Sequence, residues 1–165
     1  MNNTQTYDTL LYKIVGAAMA VHSELKYGLL EPVYQEALCM ELEQRGMEFC
    51  AEENIPIYYK GVLMKKQYRM DIVCGDIIVE LKSVEELLPE HRSQLFNYLR
   101  LTQKPVGMLI NFGQPSLHFE KYYFDAESNE VILYSYYKEE MINNLNKRII
   151  HIEEPGIAEI IKNAL

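Results

Sequence analysis

Asp71, Glu80 and Lys82 set two carboxylates and an ammonium on two short apolar stretches, Arg69 to Cys74 and Ile77 to Lys82, a combination able to hydrolyse phosphate esters. Between the stretches lies Gly75-Asp76, a two-residue link of the kind that closes a tight hairpin. If Cys74 faces Ile77, then Val73 lies opposite Ile78, Ile72 opposite Val79 and Asp71 opposite Glu80. Alternation of side chains then puts Met70, Ile72, Cys74, Ile77, Val79 and Leu81 on one uniformly apolar face, and Asp71, Glu80 and Lys82 on the other. Opposed side chains in an antiparallel pair have Cβ atoms about 4.5 to 5.5 Å apart, where like charges destabilise. Magnesium or manganese would compensate, taking two hard oxygen ligands and leaving positions open for water and a phosphate. Lys82 could then orient or help deprotonate the attacking water, or offset charge developing on the phosphorane. The plainer alternative is a surface hairpin in which Lys82 only neutralises one carboxylate.

Other polar residues sit where their neighbours do not explain them. Glu31 falls immediately before Pro32 at a helix start, a place where capping favours Ser, Thr, Asp or Asn. Its carboxylate either answers the helix dipole or serves something else. Tyr34 would share the face of Glu31, to hydrogen-bond a phosphate or to pack. Beyond Pro89, His91, Gln94 and Tyr98 form one helical stripe, with Leu95, Phe96 and Leu99 turned largely towards a core. That stripe is either an exposed face or the rim of a site. His22, His118 and His151 have no partner pattern and read as structural or exposed.

The elements that must position these residues follow from periodicity. Leu10, Leu11, Ile14, Val15, Ala18, Met19, Val21 and Leu25 recur at helical spacing behind Asp8 as a cap. Gly28 breaks that helix, and Pro32 opens a second that stops at Arg45-Gly46. Three strands, near Phe49 to Tyr59, Lys66 to Cys74 and Asp76 to Lys82, are expected to run antiparallel. A helix from Pro89 to about Leu101 and a buried strand over Val106 to Phe112 complete an α/β layered order. Leu117 to Phe124 and Val131 to Tyr137 look like a tyrosine-rich hairpin around Glu127-Ser128-Asn129. A polar helical stretch from Lys138 to Asn146 and a short helix over Ile157 to Leu165 follow.

Asp71, Glu80, a one-residue gap and Lys82 together resemble the signature of PD-(D/E)XK nucleases. Gly28-Leu29-Leu30-Glu31-Pro32-Val33-Tyr34 resembles the motif that names the GxxExxY proteins, a bacterial branch of that superfamily. The resemblance runs from about Tyr7 to Gly113, takes in His91 to Leu99 and Ile110-Asn111-Phe112-Gly113, and resumes at Lys147-Arg148-Ile149-Ile150. Met70 stands where the family usually has a proline, and Gln114 to Asn146 has no counterpart. The resemblance implies a restriction-endonuclease-like α/β domain of three layers with a central mixed sheet; the chain is expected to be that single domain over 1–165, with the hairpin and helix read from the pattern as an extension at about 114–146. It implies Asp71, Glu80 and the backbone carbonyl of Leu81 as ligands of Mg2+ or Mn2+, with Glu31 beside them. Lys82 would handle the water. Gln94 with Tyr98 resembles the Q-x-x-x-Y element of RecB-like nucleases, and both would support the site, with Tyr34, His91 and Arg92 as substrate contacts.

Composition constrains these readings. A chain of 165 residues, 48% hydrophobic, can bury one core and is expected to be one domain. No long apolar run exists, and the start has neither the basic nor the apolar stretch of a signal peptide, so a cytoplasmic protein with no membrane partner is expected. Cys39, Cys50 and Cys74 match neither a disulfide framework nor a zinc site and read as small hydrophobes. The net charge of -8 repels a polyanion on average. A nucleic-acid substrate therefore needs bound cations or a local basic strip from Lys60, Lys65, Lys66, Arg69, Arg92, Arg100, Lys147 and Arg148. The rivals to a nuclease of DNA or RNA are a non-catalytic module working through protein partners or its own copies, and a hydrolase of small phosphoesters.

Overall fold

The computed structural model describes residues 3–135 together with 137, 139 and 143. Helix α1 (Asn3–Leu25) begins ahead of Asp8, which is therefore inside it rather than capping it. Its buried residues Leu11, Ile14, Ala18 and Val21 recur every three or four positions, the spacing of a stripe facing a core. Gly28, at φ 102, turns the chain into α2 (Glu31–Gln44), which buries Tyr34, Leu38 and Leu42. Glu31 is the first helical residue there, with Pro32 next, where a missing N–H costs nothing.

Strands β1 (Cys50–Ile55), β2 (Tyr58–Tyr59), β3 (Val62–Leu63), β4 (Tyr68–Cys74) and β5 (Ile77–Lys82) follow. Then come α3 (Pro89–Thr102), β6 (Val106–Asn111), β7 (His118–Asp125) and β8 (Glu130–Leu133). One mixed sheet runs β1-β4-β5-β6-β7-β8, with β2 and β3 apart from it as a separate hairpin. Among the described residues only β5 and β6 pair in parallel, and the connection between them is α3. Those two strands are buried along their whole length, because helices cover both faces. Helices α1 and α2 pack on one face against Ile72, Cys74, Ile77, Val79 and Leu81. Helix α3 packs Leu95, Tyr98 and Leu99 on the other against Val73, Ile78 and Leu109. The result is a three-layer α/β fold.

The expected hairpin register is present as Cys74–Ile77, Val73–Ile78 and Ile72–Val79. Met70 departs from it. It packs with Val73 and Ile78 on the α3 side instead of with Ile72, because alternation is interrupted at Asp71. The strand expected over Phe49 to Tyr59 is divided: Lys60 and Gly61, at φ 49 and 78, close a two-residue turn between β2 and β3. The expected hairpin of tyrosines exists as β7 and β8, but Tyr134 and Ser135 are already helical. Cys74 is buried as a small hydrophobe would be, whereas Cys50 is exposed. The expected segments at 147–150 and 157–165, and most of 138–146, lie outside the described residues. Among the described residues no helix is long and apolar enough to cross a membrane.

Candidate active site

Strand β5 ends in Glu80, Leu81 and Lys82, and three other elements deliver groups to that end. Lys82 Nζ lies 3.0 Å from Glu80 Oε1 and 3.8 Å from Glu31 Oε1, so α2 reaches the site through its first residue. Strand β4 contributes Asp71, whose Oδ2 accepts the backbone N–H of Leu81 at 2.8 Å. The ladder pairs between β4 and β5 stop at Ile72–Val79, so here a side chain replaces the strand as acceptor. Helix α3 brings Tyr98 from the other face, with Gln94 Nε2 donating to its hydroxyl at 2.8 Å. Asp71, Glu80 and Lys82 thus come together, although Asp71 meets β5 through its carboxylate on the Leu81 N–H and not as the expected ladder partner of Glu80, with Glu31, Gln94 and Tyr98 around them.

Burial sets the electrostatics. Glu80 is 1% exposed, and its Oε2 has no hydrogen-bond partner among the described residues. Desolvation, reinforced by Asp71, pushes its carboxyl up to about 8. Burial also raises Asp71, against the pull of the Leu81 N–H, and raises Glu31. Burial alone would lower Lys82, but Glu80, Glu31 and Asp71 outweigh it and hold the ammonium charged. The site is an acid-rich, water-poor cluster with one internal cation.

Its donor set suits a hard divalent cation in kind: three carboxylates, one with a bare buried oxygen, beside the Leu81 backbone. Its side chains are not gathered for one. Among the described residues no group of three or more His, Cys, Asp or Glu stands ready to hold a metal, and Lys82 Nζ occupies the space between Glu80 and Glu31. Next to the cluster, Tyr68, Glu90, Ser93, Gln94, Asn97 and Tyr98 line an open cleft of about 410 Å³.

Three residues expected at the substrate are placed otherwise. Tyr34 is fully buried and stacked on Phe112 at 4.7 Å. Its hydroxyl donates to the Lys26 carbonyl and accepts the Leu29 N–H, so it shapes the loop before α2 and has no face for a phosphate. His91 Nδ1 accepts the Leu88 N–H at 2.9 Å and so caps α3. Arg92 forks onto Glu120 of β7, at 2.7 and 2.8 Å. That pairing holds the Glu120 carboxyl down at about 2. A carboxyl depressed from 4.5 in the unfolded chain stabilises the fold above that pH and loses the contribution as pH falls from about 4.5 towards 2. Discounting for the third of Arg92 that stays exposed, the amount is on the order of 1 kcal/mol. Urea unfolding of Arg92→Ala and wild type should therefore differ more at pH 7 than at pH 3; an equal gap would remove the ion pair from the account.

Two positioning residues escaped the sequence reading. Asn111, fully buried, accepts the N–H groups of Val84 and Gly113 at 3.0 Å and donates to the Val84 carbonyl at 2.9 Å. It ties the chain leaving Lys82 to the end of β6. Its signal was present as the one polar side chain in the apolar run Val106 to Phe112. Ser83 Oγ donates to the Leu29 carbonyl at 2.6 Å and ties the same chain to the loop before Glu31. Asn111→Ala strands buried backbone groups at about 1 to 3 kcal/mol. Its melting temperature should drop by several degrees; an unchanged value would show that Gly113 and Val84 hold without it.

A crystal structure of SSO0001 is similar at 21% identity with a TM-score of 0.45, covering 55% of this chain and 48% of its own, so this chain spans about half of that protein. No curated protein matches. Residues 8–122, which carry Glu31, Asp71, Glu80, Lys82, Gln94 and Tyr98, match the family model of the PD-(D/E)XK nuclease superfamily, and the chain belongs to that superfamily.

Proposed function

We propose that the protein is a divalent-metal-dependent nuclease of the GxxExxY branch, one domain that hydrolyses phosphodiester bonds of DNA or RNA. The observation that carries this reading is the buried Oε2 of Glu80, without a hydrogen-bond partner among the described residues, beside Asp71 and Lys82, where the carboxylate form is costly to the fold unless it takes up a proton or a cation. A bound magnesium or manganese ion would supply Lewis-acid stabilisation of the phosphate and lower the pKa of a water. Asp71, Glu80 and the Leu81 carbonyl would hold it, with Glu31 adjacent. Lys82 would leave Glu31 to meet the attacking water or the charge on the phosphate. Tyr98, held by Gln94, would stand over the site from the cleft side.

The rival, a non-catalytic member working through protein partners, is favoured by one observation: Lys82 already neutralises the cluster from within. Incubation with single-stranded and double-stranded DNA and RNA, and with a small phosphodiester, in magnesium, manganese or EDTA decides between them. Metal-dependent cleavage of a polynucleotide is the expected result. Cleavage of the small ester alone moves the substrate, and no divalent binding by an intact fold moves the protein to the rival.

A further inference from the structure

We propose that the β2–β3 hairpin, with the link that joins it to β4, is an arm that grips single-stranded polynucleotide, an inference that rests on the nuclease reading of the neighbouring site. From Ile55 to Met70 the chain holds Lys60, Lys65, Lys66 and Arg69 and no Asp or Glu. The whole chain is at -8, so this segment contributes +4 and the remaining residues sum to -12. All four cations are exposed, and only Arg69 has an acidic partner among the described residues, Glu52 at 3.7 Å. Lys60 at the hairpin turn, Lys65 and Lys66 in the link that follows, and Arg69 at the start of β4 make the local basic surface that an acidic protein needs in order to hold a polyanion.

The same hairpin exposes aromatic faces. Tyr58 and Tyr59 keep 61% and 65% of their surface in water, across the ribbon from Leu63 and Val62, themselves exposed, and Lys60 Nζ lies over the Tyr59 ring, 5.5 Å from its centroid. Exposed tyrosines on the ribbon, with Lys60 at its turn and Lys65 and Lys66 in the link to β4, suit unstacked bases, whose rings stack while the lysines meet phosphates. A duplex hides those ring faces. A symmetric contact with a second copy would set four cations against four. The hairpin also leads to the cleft: residues 64–67 join β3 to β4 at Tyr68, whose ring lies 5.7 Å from that of Tyr98. Tyr68 and Tyr98 line the cleft together, next to the acidic cluster.

Fluorescence anisotropy with labelled oligo-dT and oligo-U, in EDTA so that nothing is cut, tests the arm and separates DNA from RNA. Lys65→Ala with Lys66→Ala should weaken binding about tenfold at low salt and lower the salt slope by roughly 1.4, from about 0.7 per phosphate contact. Tyr59→Ala should weaken it on the order of tenfold, while Tyr59→Phe keeps the stacking face and the affinity. All of these variants should still gain thermal stability from manganese, which shows an intact fold and site. Wild-type binding unchanged by the substitutions, or absent, overturns the arm. So does a dimer that they dissociate while oligonucleotide binding persists. Hairpin-dependent binding without metal-dependent cleavage would keep the arm and end the nuclease reading.

Discussion

Glu80→Gln is expected to make the metal-free protein more stable and, at the same time, insensitive to divalent cations. The Glu80 carboxyl titrates near 4.5 when unfolded and at about 8 when folded, pushed up first by burial and then by Asp71. Between those values the unfolded chain has lost a proton that the folded one keeps, so stability falls as pH rises and the loss is complete above about 8. The cost there is on the order of a few kcal/mol. Glutamine has the same shape, never ionises, and its amide oxygen can still accept from Lys82. Wild type and variant should therefore melt alike near pH 4.5 and diverge towards pH 8, with the variant several degrees higher. Manganese binds the folded state and should raise the wild-type melting temperature by mass action. The variant should lose that rise, and its nuclease activity should fall by at least about a hundredfold. Equal stability at pH 8 would mean that Lys82 fully compensates the Glu80 charge; an undiminished manganese effect would remove Glu80 from the site.

The opposition of those two effects explains why some of the site was legible and some was not. Alternation around Gly75-Asp76 admits one register that keeps the apolar residues together, so the pairs Cys74–Ile77 to Ile72–Val79 followed from the sequence. The interruption at Asp71 did not follow. There the carboxylate takes the Leu81 N–H, and across β1 the facing residue Glu52 adopts φ 56, a left-handed conformation unusual for a glutamate in a strand. Local pattern cannot show where a side chain will displace a backbone acceptor. Tyr34 was undecided between phosphate and core because Phe112, which it stacks on, is remote in sequence. Arg92 looked available for substrate because Glu120, its partner, sits two strands later. Half of the basic strip, Lys60, Lys65, Lys66 and Arg69, is already clustered in the sequence, but the turn at Lys60-Gly61 that sets β2 and β3 apart from the main sheet was not read there.

Lys82→Ala should separate turnover from metal binding. Lys82 is the cation nearest the cluster, 3.0 Å from Glu80 and 3.8 Å from Glu31. Its charge lowers the Glu80 carboxyl, so its loss lets burial push that group further up. A proton then competes harder for the ligand, and the variant should need higher pH or more manganese to reach the wild-type thermal shift. Both acidic ligands remain, so at alkaline pH and saturating manganese the shift should be recovered. Turnover measured under those same conditions should stay about a hundredfold or more below wild type, on the order of 3 kcal/mol of barrier, because the charge facing the water or the phosphate is gone. Lys82→Arg should keep the thermal shift without the pH displacement, since a guanidinium also counters Glu80, but its fixed planar fork should recover little of the turnover. If Lys82→Ala cuts as fast as wild type once manganese is saturating, the ammonium serves only to neutralise Glu80.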